Sequence, residues 1–370
     1  MVVLRGIAID NGGSECRSLA VGNSEVHCMK SDFVTVEEKD FRVKEVEDPF
    51  EAVRVVQAPS DEYLGIVARG AAGRLYSAKM MGFDNQSTKT GAVNYYRQFV
   101  YALACDAMRA VRSGDGCKMD DIFDYVIATC IPVKEHSGKN DCATVLRSRL
   151  GGRYVVEFPF MVNESVTFCV EPSHIGVVPE GGVALTALRG DIGEDELSLI
   201  VDMGQVTTDI ALYKGKTLYG DKVISSPAAG GTLNALIRAA MIDEGYTLNE
   251  SQVLKVLETG HVRQGASQVD AADIVQEQKA AFVRNFLKKE IMQILNMNGI
   301  NALQIQNLIP IGAAMNDPGK DGSIVREIVM NCGLTSAAVR CLSEDLRYVN
   351  VEQTAVFAKA LYKQVLKAKQ

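Results

Sequence analysis

Apolar runs of strand length alternate along this chain with longer stretches whose apolar residues recur every three or four positions, the pattern of α/β units. One unit is written twice. Ile9-Asp10-Asn11-Gly12 followed by Leu19-Ala20-Val21-Gly22 recurs as Val201-Asp202-Met203-Gly204 followed by Ile210-Ala211-Leu212-Tyr213. Each copy reads as a strand, an Asp-x-Gly turn and a second strand. The copies stand about half the chain apart, so the sequence predicts two similar halves, each opening with a β-hairpin.

Other segments fill in the same picture. Residues 125–129, 154–158, 166–170 and 307–311 read as strands. Residues 92–111 carry Val93, Tyr96, Val100, Leu103, Ala107, Met108 and Val111 at helical spacing and stop at Ser113-Gly114. Helices are also predicted over 144–150, 229–242, 251–257, 271–298 (the longest) and 351–367, whose Lys359, Lys363 and Lys367 share a wet side. The least regular stretch, 31–85, holds Pro49, Pro59 and a Gly/Ala/Arg-rich segment at 68–74, and reads as an inserted subdomain. The expected division is 1–190 with 346–370, carrying an insert over about 31–90, and 191–345, with a subdomain over about 231–300. No low-complexity linker appears, which suits a hinged molecule with a cleft.

Composition narrows the class. The 370 residues are 47% apolar and 23% charged, an ordinary globular balance for two domains. No apolar run approaches the ~20 residues of a membrane span, and residues 1–10 do not read as a signal peptide. Nine scattered cysteines without a C-x-x-C pair argue against a disulfide framework or a zinc site and fit a reducing cytoplasm. A net charge of −7 argues against a chain that coats nucleic acid by itself.

The familiar phosphate loop, the dinucleotide glycine motif, the serine-nucleophile elbow and the zinc-protease motif are all missing, and the four histidines form no ligand pair. Asp10-Asn11-Gly12-Gly13-Ser14 offers another phosphate device. Its glycines let successive backbone N–H groups face one point, and Asp10 would act on phosphate through Mg²⁺, with Arg17 in reach of the same phosphates. A plain hairpin turn is the competing reading. A second Asp-x-Gly hairpin, Asp202-Met203-Gly204-Gln205-Val206-Thr207-Thr208-Asp209, shifts the balance, because two facing hairpins suit a polyphosphate with one Mg²⁺ held by Asp10 and Asp202. Thr207 and Thr208 serve either as hydroxyl ligands or as β-branched strand residues.

These two hairpins, together with Ile311-Gly312-Ala313-Ala314-Met315, closely resemble the two phosphate motifs and the adenosine motif of the actin superfamily. Residues 125–132 resemble its first connecting strand and 355–361 its second connecting helix, all in the expected order across the whole chain. Within the superfamily the chain looks most like the ParM-type bacterial actins of plasmid segregation, through Ile131-Pro132-Val133 and Val178-Pro179-Glu180-Gly181-Gly182. The resemblance implies an actin-like ATPase fold: two α/β domains with ribonuclease H-like cores around a nucleotide cleft, each with a smaller subdomain. It implies that Glu180, at the start of a helix, positions the attacking water and that Asp202 polarises it or holds the Mg²⁺ shell. Nucleotide contacts would come from Asp10, Asn11, Gly12, Gly13, Ser14, Arg17, Gly204, Gln205, Val206, Thr207, Gly230, Gly231, Gly312, Ala313 and Met315. Lys279 would flank the adenine or simply be solvated. Arg17, Gln205 and Ala313-Ala314 depart from the residues usual in the family.

The function implied is a filament that polymerises with ATP–Mg²⁺ (GTP being the alternative nucleotide) and falls apart after hydrolysis. Its partners would be its own copies and a DNA-binding adaptor on a centromere-like site, with DNA contacted indirectly and no membrane contact. A small-molecule kinase of the same fold and a cell-shape actin are the rival readings.

Overall fold

The computed structural model describes all residues except 14, 32, 42–45, 75–88, 115, 137–140, 189, 221–222, 265–266 and 317–319. The chain forms two compact units, Met1–Val183 with Asn350–Gln370, and Ala184–Val349.

In the first unit nine strands among the described residues form one sheet. They are β1 (Val2–Asn11), β2 (Glu15–Ala20), β3 (His27–Lys30), β4 (Val34–Val36), β5 (Ala52–Gln57), β6 (Gly65–Ala68), β7 (Ile122–Ile131), β8 (Gly152–Glu157) and β9 (Ser165–Pro179), in the order β3-β2-β1-β7-β9-β8-β5-β6-β4. β1, β2 and β3 form an antiparallel meander, and β7 and β9 lie parallel to β1. The stretch read as an inserted subdomain thus supplies three strands to the far end of this same sheet, and its residues 75–85 lie outside the described residues.

The centre of the sheet is buried on both faces, which is why β1 and β7 read as continuous apolar runs instead of alternating ones. One face packs under the helix Val93–Arg112, with Ile7, Ile9, Phe99 and Leu103 in a common core. The other face is lined by small residues. A Cβ on Gly6 would meet Tyr362 at 3.0 Å, and one on Gly176 would run into Phe357, so the helix Val349–Lys369 approaches closely. Lys359, Lys363 and Lys367 are exposed on that helix, while Val351, Thr354, Ala358 and Val365 are buried.

The second unit repeats the scheme. β10 (Leu197–Met203), β11 (Thr208–Lys214) and β12 (Thr217–Leu218) form a meander, with β13 (Ile224–Ser226) also on β11. A small hairpin, β14 (His261–Gln264) with β15 (Ser267–Asp270), stands apart. β16 (Ile305–Ile311) and β17 (Ala338–Val339) continue the sheet in parallel, giving β12-β11-β10-β16-β17. The first five places of the other sheet, β3-β2-β1-β7-β9, have the same order and directions. The two halves are therefore one design built twice.

Two local expectations change. The long helix predicted over 271–298 is Ala272–Phe282, a π-helical turn Val283–Leu287 and Lys288–Met297, a widening that apolar periodicity does not register. Glu180 does not open a helix. It lies in a turn directly after β9, and the next helix is the four-residue Ala184–Ala187, because Gly181, at φ +69°, turns the chain first.

Candidate nucleotide site

Both Asp-x-Gly segments form the predicted hairpins, and they match in detail. The Gly12 amide donates to the Glu15 carbonyl at 3.0 Å, and the Gly204 amide donates to the Thr207 carbonyl at 2.9 Å. In each hairpin the aspartate stands two residues before that glycine, at the carboxyl end of a central strand flanked by a parallel neighbour: Asp10 opposite Cys130 of β7, Asp202 opposite Ile311 of β16. Ligands of open α/β sheets gather at such strand ends. The turn-closing bonds use the amides of Gly12 and Gly204. Among the described residues, those of Gly13, Gln205 and Val206 donate to no protein acceptor. Ser14 lies outside the described residues.

The first hairpin leads into a buried charged corner. Asp10, Cys130 and Glu180 are all buried, and their ligating atoms lie within 4.8 Å of one another. Cys130 Sγ–H donates to Asp10 Oδ1 at 3.5 Å. Burial, and then the charges of Asp10 and Glu180, push that thiol well above its usual range, so it stays protonated and acts as donor. The turn bearing Glu180 is pinned from two sides. Its own amide donates to the Ile131 carbonyl at 2.7 Å, and the Gly181 amide donates to Asn350 Oδ1 at 3.1 Å.

Two cations complete the corner. Arg17, directly opposite Asp10 in the β1–β2 ladder, places Nη1 3.2 Å from Asp10 Oδ2 and Nη2 2.9 Å from Glu15 Oε2. Burial opposes the charge on Arg17, but Asp10 and Glu15 outweigh it and raise its pKa. The guanidinium expected on phosphate is thus engaged by two carboxylates. Lys89 places Nζ 3.0 Å from Glu180 Oε1. Glu135 aims it: Oε1 accepts the Lys89 amide at 2.6 Å, and Oε2 accepts the Thr90 amide and hydroxyl at 3.0 and 2.8 Å.

Other expected residues are distributed as follows. The Asn11 side chain points into the first unit, donating to the Tyr95 carbonyl at 2.9 Å, which leaves its backbone as the part able to act at the turn. In the second unit the Gly230 and Gly231 amides donate to the carbonyls of Gly204 and Gln205 at 3.0 and 2.8 Å, so the helix Gly230–Asp243 starts against the hairpin turn. A Cβ on Gly230 would meet Gln205 Oε1 at 2.8 Å. Thr208 donates its hydroxyl to the Ala228 carbonyl at 2.6 Å, a structural bond, whereas Val206 is 61% exposed. Lys279 is half-buried on the helix Ala272–Phe282. Gly312 has φ +103° and begins the turn Ala313–Met315. Met315 itself is wholly buried in the core of the second unit, so its side chain cannot touch a ligand.

Unused turn amides near strand-end carboxylates suit a polyphosphate, which needs donors, together with a hard dication, which needs carboxylate oxygens. No family model matches the sequence, and no curated protein matches it either. Solved structures do match. The actin-like protein Alp7A superposes with a TM-score of 0.72 at 18% identity, over 100% of this chain and 98% of its own. An archaeal actin homologue gives 0.69 at 16%, over 97% and 99%. Bacillus thuringiensis ParM with AMPPNP gives 0.65 at 12%, again over 97% and 99%. The chain has the actin-like fold.

Lys89, Glu135 and Asn350 belong to none of the sequence motifs. Lys89 and Glu135 meet across 46 positions, and Asn350 reaches the Glu180 turn from 169 positions away. No local pattern announces such pairs. Cys130 lies inside the segment that resembles a connecting strand, and nothing in that segment gives it a role.

Proposed function

We propose that this chain is a filament-forming actin-like ATPase that binds ATP–Mg²⁺ through both hairpins, polymerises with it and depolymerises after hydrolysis. The observation that carries the reading is the duplicated hairpin, with the same turn bond and the same aspartate offset in each unit. The neighbours that share the fold include a ParM with AMPPNP and a ParM with ATP.

In this reading the amides of Gly13, Gln205 and Val206 hold phosphate oxygens, and the helix starting at Gly230 offers its positive end to the nucleotide. Asp10 and Asp202 are the residues that would hold Mg²⁺, which would supply charge neutralisation to the phosphates. Glu180 orients the attacking water and takes its proton, Lys89 holds that carboxylate in place, and Arg17 fixes the direction of Asp10. Positioning and charge account for most of phosphoryl transfer, so a slow turnover is enough to time a polymer. Plasmid segregation through a DNA-binding adaptor at the filament end is the cellular role we assign, and the cytoplasm the compartment.

Light scattering after addition of ATP–Mg²⁺, followed by electron microscopy, tests this. Scattering should rise with ATP, persist with a non-hydrolysable analogue and decay as ATP is consumed. A chain that binds no nucleotide and gives no polymer under these conditions would refute the reading.

A further inference from the structure

Away from the hairpins, Arg69 and Arg109 of the first unit form no ion pair among the described residues. Arg69, directly after β6, is only 5% exposed. Its Nη1 donates to the Lys30 carbonyl and its guanidinium lies over the Tyr101 ring, 4.2 Å from the centroid, while Nε and Nη2 have no acceptor. Arg109, on the helix Val93–Arg112, lies 4.9 Å over the Phe50 ring, and its Nη1 likewise has no acceptor. Both line one cavity of about 190 Å³.

Buried guanidinium N–H groups without acceptors are costly. Two carboxylates share this wall, but each is turned to a backbone amide. Asp48 Oδ1 accepts from the Phe50 amide and Glu51 Oε2 from the Ala72 amide, both at 2.9 Å. Three guanidinium nitrogens on two arginines therefore remain to be met by something that enters. The volume has room for about six waters at ~30 Å³ each. The rings of Phe50 and Tyr101 give it an apolar wall.

We infer that this cavity binds a small organic oxyanion, whose carboxylate or phosphate group is gripped by Arg69 and Arg109 while its compact body rests on Phe50 and Tyr101. Guanidinium forks match both groups, and the rings hold the guanidinium planes in place. The inference does not rest on the nucleotide reading.

The test titrates the full-length, reduced protein with inorganic phosphate and, separately, with succinate, by calorimetry. At least one probe should bind saturably; which one does so decides between a phosphoryl and a carboxylate ligand. Its affinity should fall about tenfold or more in Arg69→Met and in Arg109→Gln, the loss expected for a charged hydrogen bond. Phosphate bound at the hairpins would survive both substitutions, so this inference and the nucleotide reading fail separately. Should Arg69→Met not fold, the half-buried Arg109→Gln and a measurement on the unaltered chain still decide. Cys28 lies on the cavity wall, so the bound probe should slow its alkylation relative to Cys341, an exposed thiol in the second unit. No saturable binding, binding unchanged in the folded variants, or Cys28 alkylation that ignores the probe would each overturn the assignment.

Discussion

Lys89 Nζ lies 3.0 Å from Glu180 Oε1, and the two side chains are 24% and 8% exposed. A carboxylate this buried would be costly without its ammonium partner, and the pair fixes the direction of Glu180. We expect Glu180→Ala to keep nucleotide binding and to slow phosphate release by about 10²-fold or more, leaving filaments that persist. Lys89→Met should lower stability by about 2 kcal/mol, read from urea unfolding, because a buried charge loses its hydrogen-bonding cation.

Gly312 allows a different kind of test. Its φ is +103°, its amide donates to the Leu346 carbonyl at 2.9 Å, and a Cβ there would run into the Met203 carbonyl beside the second hairpin. Gly312→Ala should therefore destabilise the chain by about 3 kcal/mol or more, well above the cost of strain alone. Ala313→Gly, next to it on an exposed turn, should cost about 1 kcal/mol or less. The chain has no tryptophan, so circular dichroism is the probe.

Buried thiols give the first unit an alkaline limit. Burial raises Cys16 and Cys105 from 9.0 to about 12. The fold therefore keeps these protons while the unfolded chain gives them up. The stability they contribute is complete below pH 9 and is lost as pH rises towards 12, at up to ~1.4 kcal/mol per pH unit for each thiol. Urea midpoints should fall between pH 9 and 11, and Cys16→Ala with Cys105→Ala should flatten that fall.

With a net charge of −7, filaments should not grip DNA along their length. Mixed with plasmid DNA at near-physiological salt and no adaptor, they should sediment without it. Tight, saturable co-sedimentation would replace the adaptor with a direct contact.

The features legible in the sequence are local ones. The Asp10 and Asp202 hairpins follow from apolar runs around an Asp-x-Gly turn, and the matching order of the two sheets from the repeat of those runs. Arg17 opposite Asp10 is also fixed locally, since a hairpin closed between Gly12 and Glu15 pairs those two residues, although the motif by itself points the arginine to phosphate. Lys89 on Glu180 is of another kind: 91 positions separate them, and only the packed sheet brings them together. Met315 shows the same limit, since a motif states which residue follows Gly312 but not that its side chain turns into the core.

The first sheet is covered on one face by the helix Val349–Lys369, which ends with Lys369 paired to Asp124 of β7. A ribosome delivers that helix after all of Ala184–Val349. The N-terminal strands must therefore wait through the synthesis of the entire second unit with their small-residue face bare, and the second unit can complete itself first. Chains truncated after Val349 should hold a folded second unit and a first unit still open to proteases and chaperones, so that this helix acts as a closing step of biogenesis.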